Sequence, residues 1–179
     1  TVSTRRAGRD DARPLFSLTP AKEAPVMQPD FEMYQTLPDG GAALMALEEA
    51  AEAHYFRGRL DEARTGFLAV WEQFPENWQQ WQMPGLFVTD RLRAIAFRQG
   101  DYPLALAWSE QVLKVGSPKS HKVLSDVGEA HYEMGDLEQA FEWFARAEAR
   151  GENRTFKEME RRYVAFYKEE KARRSRPAG

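Results

Sequence analysis

Apolar residues recur at helical spacing from Ala42 onward, in long segments separated by short polar turns. Three turns centre on Gly58, Gly100 and Gly135, which lie 42 and 35 residues apart. An aromatic residue stands three positions before each glycine, a large apolar residue two positions after it, and an alanine five positions after it. These positions are Tyr55, Phe97 and Tyr132; Leu60, Tyr102 and Leu137; and Ala63, Ala105 and Ala140. The pattern predicts three successive pairs of helices.

The repeated residues have a physical sense in a helical hairpin. Glycine adopts the left-handed conformation that ends a first helix. The alanine lets the second helix approach the first closely, and the aromatic side chains fill the space where the helices diverge. Phe67 and Phe144 stand nine residues after their glycines, and Trp108 is expected to fill the equivalent space in the middle copy.

The third copy resembles the tetratricopeptide repeat (TPR) family most closely. It carries that family's signature at Leu124, Val127, Gly128, Tyr132, Gly135, Ala140, Phe144 and Ala147, and the first copy matches at Leu47, Ala50, Ala51, Tyr55, Gly58, Ala63 and Phe67. The middle copy departs from it, with Arg93 where a small residue is usual and Thr89 where a bulky one is usual. The resemblance covers about residues 44–153 and implies an all-α, TPR-like helical-hairpin solenoid, with repeats at about 44–76, 77–118 and 121–152.

The middle copy is lengthened by the segment PENWQQWQMPG. Asn77 and Gln80 have the spacing of a helix cap, which predicts an early start for the first helix of this copy. Pro84 and Gly85 are predicted to kink or break that helix. Trp78 and Trp81 either extend the core or offer an aromatic contact to a partner.

Two segments flank the repeats. Residues 1–41 form a Pro-rich extended arm, interrupted by Pro14, Pro20, Pro25, Pro29 and Pro38. A short helix is expected at about 30–36 and a turn at 38–41, and Phe31 and Tyr34 are candidate contacts of this arm. Residues 154–179 are predicted to form a capping helix and a basic tail, with Arg173 and Arg174 as accessory contacts on a solvated extension from Lys168.

Composition narrows the function. There is no cysteine, which excludes disulfides and thiolate chemistry, and no apolar run approaches the roughly 20 residues that span a bilayer. Residues 42–153 hold 11 Lys/Arg against 18 Asp/Glu, whereas residues 154–179 hold 9 against 4. An acidic body disfavours nucleic acid as a partner. Arg outnumbers Lys by 18 to 7, which hints at a bacterial genome.

No motif for catalysis, a metal or a cofactor is present. His54 and His131 precede the repeat aromatic residues, so they recur because the fold recurs. No HExxH motif, phosphate-binding loop or calcium loop occurs. The chain is therefore predicted to have no cofactor and not to be an enzyme. A hydrolase or transferase with unrecognised catalytic carboxylates is a third alternative, beside the two binding roles described below.

The family resemblance implies that the first helix of each repeat lines a concave groove. The residues expected to face it are Glu48, Glu52, Tyr55, Phe56, Asp90, Phe97, Arg98, Lys122, Ser125, Glu129, Tyr132 and Glu133. Acidic and aromatic residues dominate this set, which predicts a basic or amphipathic protein segment as partner. Glu48 and Glu52 stand where the co-chaperone members carry side chains that grip a terminal carboxylate, and this disfavours that ligand.

Two roles fit such a groove. The first is an adaptor or assembly subunit that binds a partner segment through the groove and the N-terminal arm. The second is an inhibitor or immunity-type protein that covers a basic toxin or enzyme. The arm or the basic tail could also occupy the groove in the absence of a partner.

The prediction of the cellular compartment depends on the first residues of the sequence. The chain begins at Thr1 rather than at a methionine, so a processed or trimmed product is expected. Arg5, Arg6 and Arg9 disfavour translocation, which favours the cytoplasm and leaves the periplasm or export open.

Overall fold

The computed structural model describes residues 34, 36–37, 39–74, 82–115, 120–151 and 154–176. These residues form a chain of helices without strands. The helices are α1 (Ala42–Phe56), α2 (Leu60–Trp71), α3 (Gln82–Arg98), α4 (Tyr102–Val115), α5 (His121–Glu133), α6 (Leu137–Gly151), α7 (Thr155–Glu158) and α8 (Arg161–Arg174). The pairs α1–α2, α3–α4 and α5–α6 are the three predicted hairpins, and α8 is the predicted capping helix.

Each hairpin turns at its repeat glycine. Gly58, Gly100 and Gly135 have φ values of 74°, 76° and 79°, a region that side chains with a Cβ rarely enter. The N–H of each glycine donates to the carbonyl three residues earlier, and the next residue donates to the carbonyl five residues before itself, all at 2.9–3.0 Å. This is the same helix-ending motif in all three copies, and it confirms the turn predicted from the glycine spacing.

Small residues allow the two helices of each hairpin to approach closely where they cross. A Cβ placed on Gly128 of α5 would lie 2.6 Å from the Phe144 ring of α6, and one placed on Gly66 of α2 would lie 2.7 Å from Ala51 of α1. Ala63, Ala105 and Ala140 are all buried. The last pair thus packs a small residue against a large one, as predicted, whereas the first pair packs two small residues, Gly66 and Ala51, against each other.

Two apolar clusters form the core. The first cluster contains residues of the four helices α1, α2, α3 and α4, among them Phe67, Leu92, Ile95 and Trp108. Trp108 is buried and stands edge-on to Trp71 of α2, with ring centroids 5.3 Å apart, so its ring packs on the preceding repeat. That Trp108 also fills the equivalent space in its own hairpin stays a prediction. The second cluster joins the third hairpin to the capping helix through Ala140, Phe144, Met159, Tyr163 and Tyr167.

The predicted break at Pro84 and Gly85 is wrong, because α3 runs without interruption from Gln82 to Arg98. Pro84 falls in the first turn of the helix, where backbone N–H groups have no intrahelical acceptor, so proline costs nothing there. Thr89 donates its hydroxyl to the Gly85 carbonyl oxygen at 2.6 Å and is completely buried. The cap predicted at Asn77 lies outside the described residues.

The turn before α1 is present at Asp39–Gly41. Gly40 and Gly41 both have positive φ, and the Asp39 carboxylate accepts from the backbone N–H groups of Gly41 at 3.1 Å and Ala43 at 2.8 Å. Asp39 therefore caps the start of α1. The helix predicted at about 30–36 lies largely outside the described residues.

Candidate functional site

The first helices α1, α3 and α5 carry the predicted groove residues, and we call this surface the groove face. On α1 the side chains of Met45, Glu48, Glu52, Tyr55 and Phe56 share one side of the helix, because each lies three or four residues from another member of the set. Phe56 is 75% exposed and Met45 is 45% exposed. These two exposed apolar side chains lie towards opposite ends of the helix, whose other side, with Leu44 and Ala51, is in the core.

The N-terminal arm reaches the groove face at Glu48. The hydroxyl group of Tyr34 donates to Glu48 Oε1 at 2.8 Å. Tyr34 and Leu37 also pack against the first apolar cluster. Burial raises the pKa of Glu48, and the hydrogen bond from Tyr34 partly opposes that rise. The described end of the arm is therefore part of the folded unit.

Glu52 is paired across the first repeat junction. The Arg91 guanidinium on α3 donates to both oxygens of the Glu52 carboxylate, at 2.6 and 2.7 Å. The same guanidinium lies 5.1 Å from the centres of the Tyr55 and Phe87 rings. A bidentate ion pair of this kind holds α1 and α3 in register and neutralises the charge of Glu52 within the protein.

Asp90 belongs to a more buried ion cluster at the second junction. Arg93 donates to Asp90 at 2.9 Å and lies 3.2 Å from the Asp126 carboxylate on α5. Asp126 has 6% of its side chain exposed, and Lys122 contacts it at 3.1 Å. Arg93, the exception to the small-residue rule in the sequence, thus joins the second and third repeats by charge.

Arg98 has a different environment from the other cations of the groove face. Its guanidinium lies 5.0 Å from the Tyr55 ring centre, on a surface that also presents Phe56. The rings of Tyr55 and Phe56 meet edge-on, with centroids 5.7 Å apart. Within the described residues, Arg98 makes no ion pair. Phe97, predicted to face the groove, is half-buried and stacks edge-on with Tyr102 instead.

Glu129 is a half-buried carboxylate on α5, one turn beyond Asp126. Burial and then the neighbouring charge of Asp126 raise its pKa to about 7, while Lys122 and Arg93 oppose that rise. No ion pair or hydrogen bond of its side chain is found among the described residues. Glu129 is consequently a carboxylate that feels the charges of Lys122 and Arg93 but forms no ion pair with either of them in the described part of the chain.

The capping helix covers the C-terminal end of the groove face. The Tyr132 ring meets Tyr163 and Phe166 edge-on, with centroids 5.2 and 5.1 Å away. Glu133 accepts from the Tyr163 hydroxyl at 2.6 Å and pairs with Arg162 at 2.7 Å. Both residues were predicted to face the groove, but α8 engages them inside the protein.

The basic tail is solvent-exposed from Lys171 to Arg176, as predicted, but ion pairs also tie it to the body. Lys171 pairs with Glu148, and Arg174 pairs with Glu138 on α6. The Arg174 guanidinium also lies 4.0 Å from the Phe141 ring centre. Arg173 contacts only Glu170 of its own helix and stays 70% exposed. Carboxylates of α6 attract the tail because the body is acidic where the tail is basic.

Sequence reasoning missed Arg91, Asp126 and Arg162, which partner the predicted residues. Their signal was present in part: an arginine in a position that requires a small residue demands a buried acid nearby. The predicted contacts Phe31, Trp78 and Trp81 lie outside the described residues. In the part of the chain that the structure describes, no three His, Asp or Glu side chains cluster as a metal site, and no helix is long and apolar enough to cross a bilayer.

Comparisons with known proteins agree with this geometry. Residues 95–154 match the family model described as tetratricopeptide repeat. The first TPR domain of Spaghetti (RPAP3), solved with the HSP90 peptide SRMEEVD, is similar over 74% of this chain and 94% of its own, with a TM-score of 0.54 and 15% identity. This chain has the tetratricopeptide-repeat fold.

A second TPR structure supports the same conclusion. The C-terminal TPR-containing domain of an FK506-binding protein from Plasmodium falciparum matches 82% of this chain and 97% of its own, with a TM-score of 0.59 and 19% identity. No curated protein matches the sequence. The predicted all-α, TPR-like solenoid is thereby confirmed, and residues 95–154 are TPR sequence by both pattern and fold.

Proposed function

We propose that this TPR protein is a protein–protein interaction module, an adaptor or assembly subunit that binds a partner segment on the groove face. The observation that carries the proposal is the row on α1 in which the exposed side chains of Met45 and Phe56 flank the half-buried Glu48, Glu52 and Tyr55. Apolar anchors beside charged groups are the usual means by which a helical surface holds a peptide. The peptide bound to the Spaghetti domain is consistent with this class of function.

The arm contributes to the same surface in this proposal. Tyr34 hydrogen-bonds Glu48, so a partner that uses this carboxylate either accommodates Tyr34 or displaces it. The arm is thus a second element of the binding surface beside the helices. We further propose that the protein has no enzymatic role, which accords with the TPR fold.

The charge arrangement favours a bound segment over the inhibitor alternative. A protein that covers a basic toxin needs a broad acidic surface, but Arg91 pairs with Glu52, and Arg93 pairs with Asp90 and Asp126. The cations of the groove face therefore neutralise much of the acidity that the sequence predicted. A segment that inserts apolar side chains needs no such surface.

Phage-displayed random peptides selected against the full chain test the proposal. Enriched peptides, made synthetically with blocked termini and a fluorescent label, are measured by anisotropy against wild type and Phe56→Asp. We expect Phe56→Asp to weaken binding about tenfold or more, because it places a charge at a central apolar anchor.

Leu137→Asp is the matched control, since Leu137 is 47% exposed on a second helix. Its affinity is expected to equal that of wild type. Equal weakening by both variants, or a selection that enriches no peptide, would contradict binding on the groove face.

A further inference from the structure

The charges of the groove face do not all cancel. Arg91 neutralises Glu52, and Arg93 with Lys122 balances Asp90 and Asp126. Three charged groups of the groove face are left without an ion pair among the described residues: Glu48 on α1, which accepts a hydrogen bond from Tyr34, Arg98 on α3 and Glu129 on α5. Arg98 and Glu129 belong to neighbouring repeats, so the face carries both signs of charge along its length rather than acidity alone.

Arg98 is presented together with an apolar surface. Tyr55 lies between two guanidinium groups, with Arg91 at 5.1 Å and Arg98 at 5.0 Å from its ring centre. Only the first of these has a carboxylate partner. Phe56 adjoins the same ring and is 75% exposed. A ligand that places a carboxylate on Arg98 therefore brings its neighbouring side chain onto Phe56.

Glu129, in the next repeat, favours a positively charged group on the ligand. The charged groups around it are Lys122 and Asp126 on its own helix, Arg93 on α3 and Glu160 just before α8. Neither cation forms an ion pair with Glu129, because both contact Asp126. A half-buried carboxylate without an ion pair is stabilised when a ligand supplies a cation.

The two groups lie on successive repeats. The Arg93 side chain of α3 reaches Asp126 of α5, and alignment of the repeats on Gly100 and Gly135 places Arg98 one turn beyond the level of Glu129. A ligand that meets both groups therefore crosses the second repeat junction.

Building on the proposed function, we propose that the partner is an extended protein segment with an acidic residue for Arg98 and a basic residue for Glu129. An apolar residue next to the acidic one packs on Phe56, which adjoins the Tyr55 ring beneath Arg98. Charge complementarity carries this choice of occupant, since a purely basic segment would leave Arg98 facing a like charge.

The test repeats the phage selection with two variants of the full chain, Arg98→Glu and Glu129→Gln, and reads the enriched peptides by sequencing. Wild type is expected to enrich peptides that carry both charges. Arg98→Glu should lose the acidic residue and keep the basic one, whereas Glu129→Gln should lose the basic residue and keep the acidic one. Arg64→Glu and Glu110→Gln, at exposed positions of second helices, should retain the wild-type profile.

A binding measurement then assigns each charge to its partner. In a double-mutant cycle on one enriched peptide, replacing its acidic residue by Ala should weaken binding about fivefold to wild type and not at all to Arg98→Gln. Replacing its basic residue should weaken binding about tenfold to wild type and not at all to Glu129→Gln.

The outcomes separate this inference from the proposed function. Peptides that bind and depend on Phe56, with an unchanged charge profile in both variants, would overturn the bipolar partner and leave groove binding intact. Uniformly basic peptides from wild type would do the same. A selection that enriches nothing contradicts groove binding, and the bipolar partner falls with it.

Discussion

The two ends of the solenoid are closed by different means. At the C-terminal end, α8 buries Tyr163 and Tyr167 against the third hairpin and engages Tyr132 and Glu133 of the groove face. At the N-terminal end, the segment around Tyr34 touches α1 at one edge, and Met45 and Phe56 of α1 stay exposed, so we call this the open end. A repeat array requires a cap at each end. The comparison teaches that buried contacts are concentrated at the end that α8 covers, whereas the open end keeps the exposed apolar side chains on which the proposed binding depends.

The largest expected effect comes from a variant that disrupts packing at the C-terminal end, where α8 covers the third hairpin. Tyr163→Ala removes a completely buried ring that contacts Tyr132 and Phe144, and the expected loss is about 3–5 kcal/mol in the free energy of unfolding. Urea denaturation followed by circular dichroism measures it. Phe56→Ala at the open end should cost less than about 0.5 kcal/mol, because its ring is 75% exposed. Similar losses for the two variants would show that the ends are closed equally well.

The second prediction compares the two repeat junctions. Arg93→Ala leaves Asp126 largely buried with Lys122 as its remaining cation, and we expect a loss of about 3 kcal/mol in the free energy of unfolding. Arg91→Ala removes the more exposed pair with Glu52 and should cost about 1 kcal/mol. Chemical denaturation of both variants gives the difference.

The double variant Arg93→Met with Asp126→Leu separates charge from packing at the buried junction. If the loss in Arg93→Ala comes from an uncompensated buried acid, the double variant should recover most of the stability. Failure to recover would mean that the arginine stem, rather than its charge, holds the junction.

The fold was more predictable than the site. The glycines at 58, 100 and 135 determined the hairpins because their backbone conformation is a local property of the sequence. The ion pairs of the groove face could not be read in the same way. They join residues about one repeat apart, such as Glu52 and Arg91, and the choice among several exposed cations depends on rotamers and on the angle between helices.

The end residues show the same limit. Tyr132 and Glu133 have the helical spacing of groove residues, and nothing local distinguishes them from Tyr55 and Phe56 of the first copy. Their burial depends on where α8 docks, which is a property of the whole chain. Periodicity therefore predicted which side of α5 they share but not that another helix would cover them.

The third prediction concerns Glu129 and pH. The pKa of the Glu129 carboxyl group is raised from 4.5 to about 7 in the folded protein. Ionisation of this group therefore opposes folding, and the free energy of unfolding decreases as pH rises from about 4.5 to about 7. Glu129→Gln should remove this slope, worth on the order of 2 kcal/mol. Urea denaturation of both proteins at several pH values measures it, with Asp126, Lys122, Arg93 and Glu160 unchanged in each. Parallel pH profiles would contradict a raised pKa at this carboxylate.

The smallest expected effect tests whether the open end is partly closed by the arm. Tyr34→Phe keeps the ring on the first cluster and removes only the hydroxyl that donates to Glu48, so the expected loss is about 1 kcal/mol in the free energy of unfolding. Amide exchange should rise in the first turns of α1 and stay constant in α8, which follows the last repeat. If Glu48→Gln in the Tyr34→Phe background adds a further loss as large as Glu48→Gln alone, the two groups act independently, and the arm is held by its apolar contacts rather than by this bond.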